Sequence, residues 1–492
     1  MSADRKPGGA ERFLRLFTDI RAGEAGTALL LTANVFLLIC AYSLLKVLRE
    51  PLILAGGGAE VKSYSSAGQA LLLLAAVPLY GMLASRFPRR RLINTVTTFF
   101  LACLVAFFVL ARLQAPVGVV FYIWLGIFNV MVIAQFWSFA NDLYTSDEGK
   151  RLFPIVAFGQ SAGAVLGAYL AGKAIDWVGL YPIFLIAAVL LVLGTVITNV
   201  VDAREHRRTE ASRTVTESTA SSPASTREVR LESGQFRLAD LQAEMGKSET
   251  APEPRRPDPA PRKETGVVGR GNAFKLVFSS RYLLLIALLI FLLNWVNSTG
   301  EYILSRTVIR AATEHTAAIF ATQEAADQMK KVFIGKFYSS YQLGVNVLGL
   351  VFQLFFVSRI LKWFGVRAAV MVLPAIALLG YGCLAFFPIL SVVRWVKTAE
   401  NATDYSLQNT VRQVLFLPTT REEKYKAKQA IDSFFVRAGD VFSAGLVYVG
   451  SQLLALKPSG FAVVNVVLVA VWLVLAFWTG RENAKVSAAT AA

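Results

Sequence analysis

The chain has 492 residues, 55% hydrophobic and 17% charged, with 50 Lys and Arg against 33 Asp and Glu. Soluble domains average about 45–50% apolar and about 25% charged residues, whereas here apolar residues gather into repeated runs of about 20. These numbers exclude a soluble enzyme, a disordered protein and a single-anchor receptor, leaving a polytopic membrane protein. The net charge of +17 is dispersed among the apolar runs. Loop cations of membrane proteins have that pattern, so lipid is the expected partner and nucleic acid is not.

Residues 1–26 are basic (Arg5, Lys6, Arg12, Arg15, Arg21), and Glu11–Ile20 reads as a short amphipathic helix on the membrane surface. No cleavable signal is expected. Six apolar runs follow: Thr27–Lys46, Tyr64–Ala84, Leu92–Leu113, Val117–Leu143, Phe153–Trp177 and Tyr181–Val201. Asp202–Asn272 then carries 13 Lys/Arg, 12 Asp/Glu and six of the 17 prolines. That composition predicts a disordered linker, because too little apolar surface is available to offset the ordering entropy. Six more runs complete the chain: Tyr282–Ser305, Phe333–Val357, Ala368–Phe387, Leu390–Leu415, Ala427–Leu456 and Phe461–Thr479. Irregular backbone cannot face lipid. The expectation is therefore an all-α membrane protein of twelve transmembrane helices, in halves 27–201 and 273–479, with a tail at 480–492.

Loop charge gives the orientation. Arg86–Arg91 holds four arginines and Arg359–Arg367 three cations, neither with an acid, and Arg421–Lys428 has four basic residues. The opposing short loops hold about one each: Lys62, Arg112, Lys173 and Lys457. Both termini and the linker are expected in the cytoplasm, with the helices in a bacterial inner membrane. Thr307–Lys331, mixed in charge, is expected to be an external or re-entrant helix. The sequence has no Walker A, nucleophile elbow or zinc motif. Neither an ATP-driven pump nor a membrane enzyme is expected, and no cofactor.

The halves echo each other. Gly81-Met-Leu-Ala-Ser-Arg86-Phe-Pro-Arg89-Arg90-Arg91 follows the second run, and Ser358-Arg359-Ile-Leu-Lys362-Trp-Phe-Gly365-Val-Arg367 follows the eighth. Thr145-Ser-Asp-Glu-Gly-Lys-Arg after the fourth is matched by Thr419-Thr-Arg-Glu-Glu-Lys-Tyr-Lys after the tenth. Two six-helix halves joined by a linker resemble the major facilitator architecture, whose site lies between the halves near the midplane. Ser85 stands where that superfamily's signature loop usually has an Asp. A twelve-helix bundle of another transporter type is the alternative.

Ionisable residues inside a span are costly unless they face a partner or a polar cavity. Lys46 and Arg49 share a face late in the first helix; they fit either an anion-site rim or snorkelling to the interface. The fourth run ends Gln135-Phe-Trp137-Ser-Phe-Ala-Asn141-Asp142, able to receive a base or sugar, or to serve as an aromatic belt and helix cap. Asn297-Ser298-Thr299-Gly300-Glu301 places an acid among polar residues in the seventh run, followed by Arg306. In the tenth, Arg394, Lys397, Asn401, Asp404, Gln408 and Arg412 form one stripe of helical period. Such a stripe lines a cavity or forms an ion-paired gate. Lys426, Lys428 and Asp432 open the eleventh run. Gly159, Gly163 and Gly167 form a small-residue face, most simply a helix-packing surface.

Together these pieces resemble the ATP/ADP translocase family, the nucleotide transporters of intracellular bacteria and plastids. The matching segments are Phe13–Phe17 with Ile20-Arg21, Tyr42–Leu52, Phe136–Asn141, Asn297–Glu301, Phe333–Phe337 and Lys426–Asp432. The resemblance implies nucleotide exchange, with functional residues falling on Arg49, Glu301 and Lys426 or Lys428. The family's acid in the fourth helix has no counterpart, because Val117–Ala140 contains no Asp or Glu. The expected substrate is a nucleotide or another organic phosphate, and the expected unit is a monomer. The expected phosphate clamp is Arg49, Arg412 and Lys428 around one cavity with Glu301. Other readings are a carrier of a smaller organic anion and a non-transporting scaffold.

Overall fold

The computed structural model describes residues 24–144, 146–220, 273–317, 322–420 and 422–491. Among these, all regular structure is helical. The expected surface helix Glu11–Ile20 and linker residues 221–272 lie outside the described residues.

Ala25–Arg86 is helical throughout except at Gly58, whose φ of 79° suits a residue without a Cβ. The break separates α1 (residues 25–57) from α2 (59–86). There follow α3 (Arg89–Arg112), α4 (Gly118–Leu143), α5 (Ser146–Trp177) and α6 (Ile183–Ala220). After a short helix, Ala273–Ser279, come α7 (Arg281–Ala317) and α8 (Gln323–Phe355). Val357–Phe386 is divided at Gly365 (φ 70°) into a short arm, 357–364, and α9 (366–386). Helix α10 joins Leu390–Thr403, a π-turn at Asp404–Gln408, and Asn409–Leu415. Helix α11 (423–453) contains three π segments, and α12 is Pro458–Ala491. The described residues thus hold twelve long helices, six before the linker and six after.

By length and composition, eight helical stretches are apolar enough to cross a membrane, with α1 and α2 counted as one. Helices α8, α10 and α11 are not among them: α8 carries more polar residues, and π segments interrupt α10 and α11.

Four boundaries differ from expectation. Helix α1 continues past Lys46 to residue 57, since the charged residues beyond it find partners inside the bundle and the helix need not end. Helix α6 continues past Val201 to Ala220, so residues 202–220 are helical where disorder was expected. Thr307–Lys331 is no separate helix: it comprises the ends of α7 and α8, with 318–321 outside the described residues. Helix α12 runs on past Thr479. Residues 205–270 separate as a unit of their own, of which 205–220 are described and helical. All that follows concerns the other unit, residues 1–204 and 271–492.

Each half contains helix pairs held close by small residues. A Cβ at Gly159 would lie 2.7 Å from the Thr32 carbonyl of α1, and one at Gly163 would overlap the Phe36 carbonyl. On α11, a Cβ at Gly439 would lie 2.8 Å from the Phe291 carbonyl of α7. Gly163→Ala is therefore expected to cost about 1–3 kcal/mol through overpacking, read as a fall in the thermal midpoint. Gly445→Ala, where nothing lies within 4 Å, should leave it unchanged.

The halves meet at the end of the bundle that carries the α1–α2, α5–α6, α7–α8 and α11–α12 connections. There Lys336 of α8 pairs with Asp176 of α5 at 2.5 Å, and Ser339 donates to the Ala168 carbonyl at 2.7 Å. Further down, Asn346 donates to the Ala164 carbonyl at 2.9 Å. Tyr302 of α7 donates to Glu60 of α2 at 2.7 Å, and the Tyr64 and Tyr448 rings lie 6.4 Å apart. Toward the other end, which carries the α4–α5 and α10–α11 connections, α5 and α10 part around a cavity. The bundle is closed at the first end and open at the second.

Candidate functional site

The turn at Gly58 folds α2 back beside α1 and sets Lys62 against Glu50. Their charged atoms are 2.7 Å apart, with Glu50 3% and Lys62 6% exposed. Arg49 bonds the other oxygen of Glu50, with Nε at 3.0 Å, and lays its guanidinium 4.4 Å from the Tyr122 ring centre on α4. Lys62 crosses to the other half, donating to Ser305 Oγ at 2.9 Å and lying 3.8 Å from Glu301.

Glu301 sits one turn before Ser305 on α7. It accepts from Asn401 Nδ2 at 3.0 Å and lies 3.8 Å from Lys397 Nζ on α10. Lys397, fully buried, pairs with Glu400 at 2.9 Å and donates to Asn297 Oδ1 at 2.7 Å. The Tyr381 hydroxyl donates to Glu400 at 2.8 Å. Gly300 makes room for this group, because a Cβ there would overlap the Tyr381 hydroxyl and reach within 2.9 Å of Lys397 Nζ.

Arg49, Glu50, Lys62, Glu301, Lys397 and Glu400 form one chain of alternating sign crossing the interface between the halves. Three cations meet three carboxylates, so the chain has no net charge. Buried ions persist when each is paired and hydrogen-bonded in this way.

Lys46 stands apart from the chain. Its ammonium is 5.5 Å from the Tyr405 ring centre and 3.5 Å from its hydroxyl. Among the described residues it makes no ion pair. It lines a cavity of about 90 Å³ with Glu50, Asn297, Glu301, Tyr341 and Asn401. Tyr405 separates this cavity from a larger one of about 400 Å³ at the open end, within the size range of small-molecule sites. Gln160, Asn294, Asp404, Gln408, Asn409 and Arg412 supply its polar lining. The π-turn at Asp404–Gln408 adds a residue to one turn of α10, and Asp404, Tyr405, Gln408 and Asn409 all face the space. The buried Gln408 amide oxygen has no hydrogen-bond partner among the described residues. A third cavity, about 150 Å³, lies between Lys62, Glu301 and Asp440.

The expected site residues fall in four places. Lys46, Arg49, Glu301 and Lys397 come together at the centre. Asp404 and Arg412 line the larger cavity. At its mouth Asp432 joins Arg412, with Nε at 3.0 Å, to Lys428 at 3.0 Å. The remaining residues lie apart. Lys426 pairs with Glu422 at 2.8 Å, and Arg306 turns to the Tyr302 hydroxyl and the Leu456 carbonyl near the closed end. Asn141 and Asp142 are exposed at the end of α4, outside these cavities. The clamp of Arg49, Arg412 and Lys428 around one cavity does not assemble: Arg49 faces Glu50 and Tyr122, and Lys428 faces Asp432 and Phe416. Lys62, expected in an outer loop, is instead buried at the centre. Tyr122 and Tyr341 were not singled out, and Glu50, read as the acid beside Lys46 and Arg49, pairs with Arg49 and Lys62.

The sequence profile of the Major Facilitator Superfamily matches residues 31–399. No protein of curated function matches the chain in sequence. Its fold is similar to the crystal structure of the nucleoside transporter NupG, with a TM-score of 0.57 and 13% identity over 92% of this chain and 98% of that one. A bacterial homologue of the iron transporter ferroportin, inward-facing, gives 0.59 and 12% over 92% and 98%. A bacterial homologue of the human lysosomal transporter Spinster, inward-facing and unoccupied, gives 0.52 and 12% over 95% and 99%. Identities this low speak for the fold alone.

Proposed function

The chain belongs to the Major Facilitator Superfamily, and from that premise we propose that it carries an organic anion of the nucleotide or sugar-phosphate class by alternating access. One observation carries this reading: the charged chain is neutral within itself, and Lys46 is left beside the cavities without an ion-pair partner among the described residues. An anion leaving water needs charge-assisted hydrogen bonds, each worth about 1.5–3 kcal/mol. Lys46 offers them, while Gln160, Asn294, Gln408 and Asn409 offer the paired donors and acceptors that a base or sugar requires. A scaffold has no use for such a group. The resemblance of Asn297–Glu301 and Lys426–Asp432 to the ATP/ADP translocases supports nucleotides as the first class to test. Arg49 and Lys428 are already engaged by Glu50 and Asp432, which favours a solute of low charge over ATP or ADP. By loop charge, the open end is the cytoplasmic one, in a bacterial inner membrane.

The test is an uptake panel in proteoliposomes, with radiolabelled nucleotides, sugar phosphates and uncharged nucleosides. At least one phosphate-bearing solute should accumulate, and the nucleosides should not. Uptake of nucleosides alone, or of none of the panel, would contradict the proposal.

A further inference from the structure

The charged chain crosses between the halves at a single residue. Arg49, Glu50 and Lys62 belong to the first half and Glu301, Lys397 and Glu400 to the second; the link is Lys62, 2.9 Å from Ser305 Oγ and 3.8 Å from Glu301. Each end of the chain is anchored on its own side. Arg49 and Lys62 share Glu50, and Lys397 is held by Glu400 and Asn297.

Alternating access requires the closed end to open, which separates α2 from α7. Lys62 then stays with Glu50, its nearer partner at 2.7 Å. The neutral chain divides into a first-half fragment with one surplus positive charge and a second-half fragment with one surplus negative charge. With Lys46 included, the first half carries two surplus cations. Separating unlike charges in a poorly screened interior is unfavourable, so the empty carrier is held shut at this end. An anion bound to the first half supplies the negative charge that Glu301 withdraws.

We propose that Lys62 is a movable counter-charge: it latches the closed end onto Ser305 and Glu301, and on opening it joins Lys46 in binding the solute's anionic group. The inference rests on the organic-anion reading for its second part only. It makes Lys62 a solute-binding residue in one conformation and a latch in the other. The 150 Å³ cavity beside Lys62 and Glu301 gives the ammonium space to turn.

The test uses electron-paramagnetic distance measurements between spin labels at Lys173→Cys and Arg310→Cys, exposed near the closed end of opposite halves, in an otherwise cysteine-free chain. Distances are recorded without solute and with saturating AMP as the probe. The otherwise unaltered labelled protein should show a short distance that lengthens with AMP. Lys62→Gln should show the long distance already without AMP and respond to it at least tenfold more weakly. Lys62→Arg should restore the short distance, and Ser305→Ala should shift it in the same direction as Lys62→Gln but less far. A Lys62→Gln protein that is folded and monodisperse yet keeps the parental distances overturns the latch. An AMP response abolished by Lys46→Gln but unaltered by Lys62→Gln overturns the binding role of Lys62 while the anion reading stands. Opening by Lys62→Gln in a protein that ignores AMP supports the latch and counts against the anion reading.

Discussion

Replacing Lys397 by Ala should destabilise the protein by about 3–5 kcal/mol, the cost of leaving a buried partner charge uncompensated. Lys397 is fully buried and Glu400 is 3% exposed. Once the ammonium is gone, Glu400 keeps the Tyr381 hydroxyl alone, and Glu301 loses one of its two neighbouring cations. The double variant Lys397→Met/Glu400→Leu removes both charges and should recover most of the stability, because well-packed apolar residues can replace a buried pair at little cost. Thermal unfolding of the purified protein in detergent checks both. A Lys397→Ala protein melting with the parent would mean that this pair is not held as charged groups.

Lys46→Gln should weaken binding of the transported anion about 10- to 100-fold, equivalent to losing one charge-assisted hydrogen bond of about 1.5–3 kcal/mol. The substitution keeps a polar side chain of similar length and breaks no ion pair, so the melting temperature should barely move. Lys46→Arg, which keeps the charge, should retain most of the binding. Equilibrium binding of the best solute from the uptake panel separates the outcomes. Equal affinity in Lys46→Gln and the parent would remove Lys46 from the site.

The helices were legible because lipid leaves the backbone no alternative and hydropathy marks most spans, α8, α10 and α11 being the less apolar ones. The misplaced end of α1 has a physical cause. Hydropathy treats Lys46, Arg49, Glu50 and Lys62 as the end of a span, whereas paired charges inside a bundle allow α1 to continue to Gly58. The same error placed Lys62 in a loop. Two signals pointed the other way: the Gly56-Gly-Gly58 run, which marks a turn, and the alternation of Arg49, Glu50 and Lys62 across it. The α10 stripe was readable from its period, and Asn401, Asp404, Gln408 and Arg412 all line cavities. Arg394, at the stripe's start, lies 5.8 Å from the Phe337 ring centre instead. The π-turn that brings Tyr405 into the same space has no sequence signature. The sequence placed cations and acids near one another without showing which pair, and the pairing decides which cation is left for a solute: Arg49 faces Glu50 and Lys428 faces Asp432, whereas Lys46 makes no ion pair among the described residues. The small-residue face on α5 was legible because close helix approach needs nothing but its four-residue spacing.

An anionic solute is expected to bind at Lys46 with its body in the amide-lined cavity at the open end. A structure of the protein saturated with its best transported solute tests this directly. The expected result is an anionic group within hydrogen-bonding distance of Lys46 Nζ, about 2.7–3.2 Å, with the rest of the solute between Tyr405, Gln408 and Asn294. A solute held instead by Arg412 and Lys428 at the mouth, leaving Lys46 on Tyr405 as it is now, would contradict it.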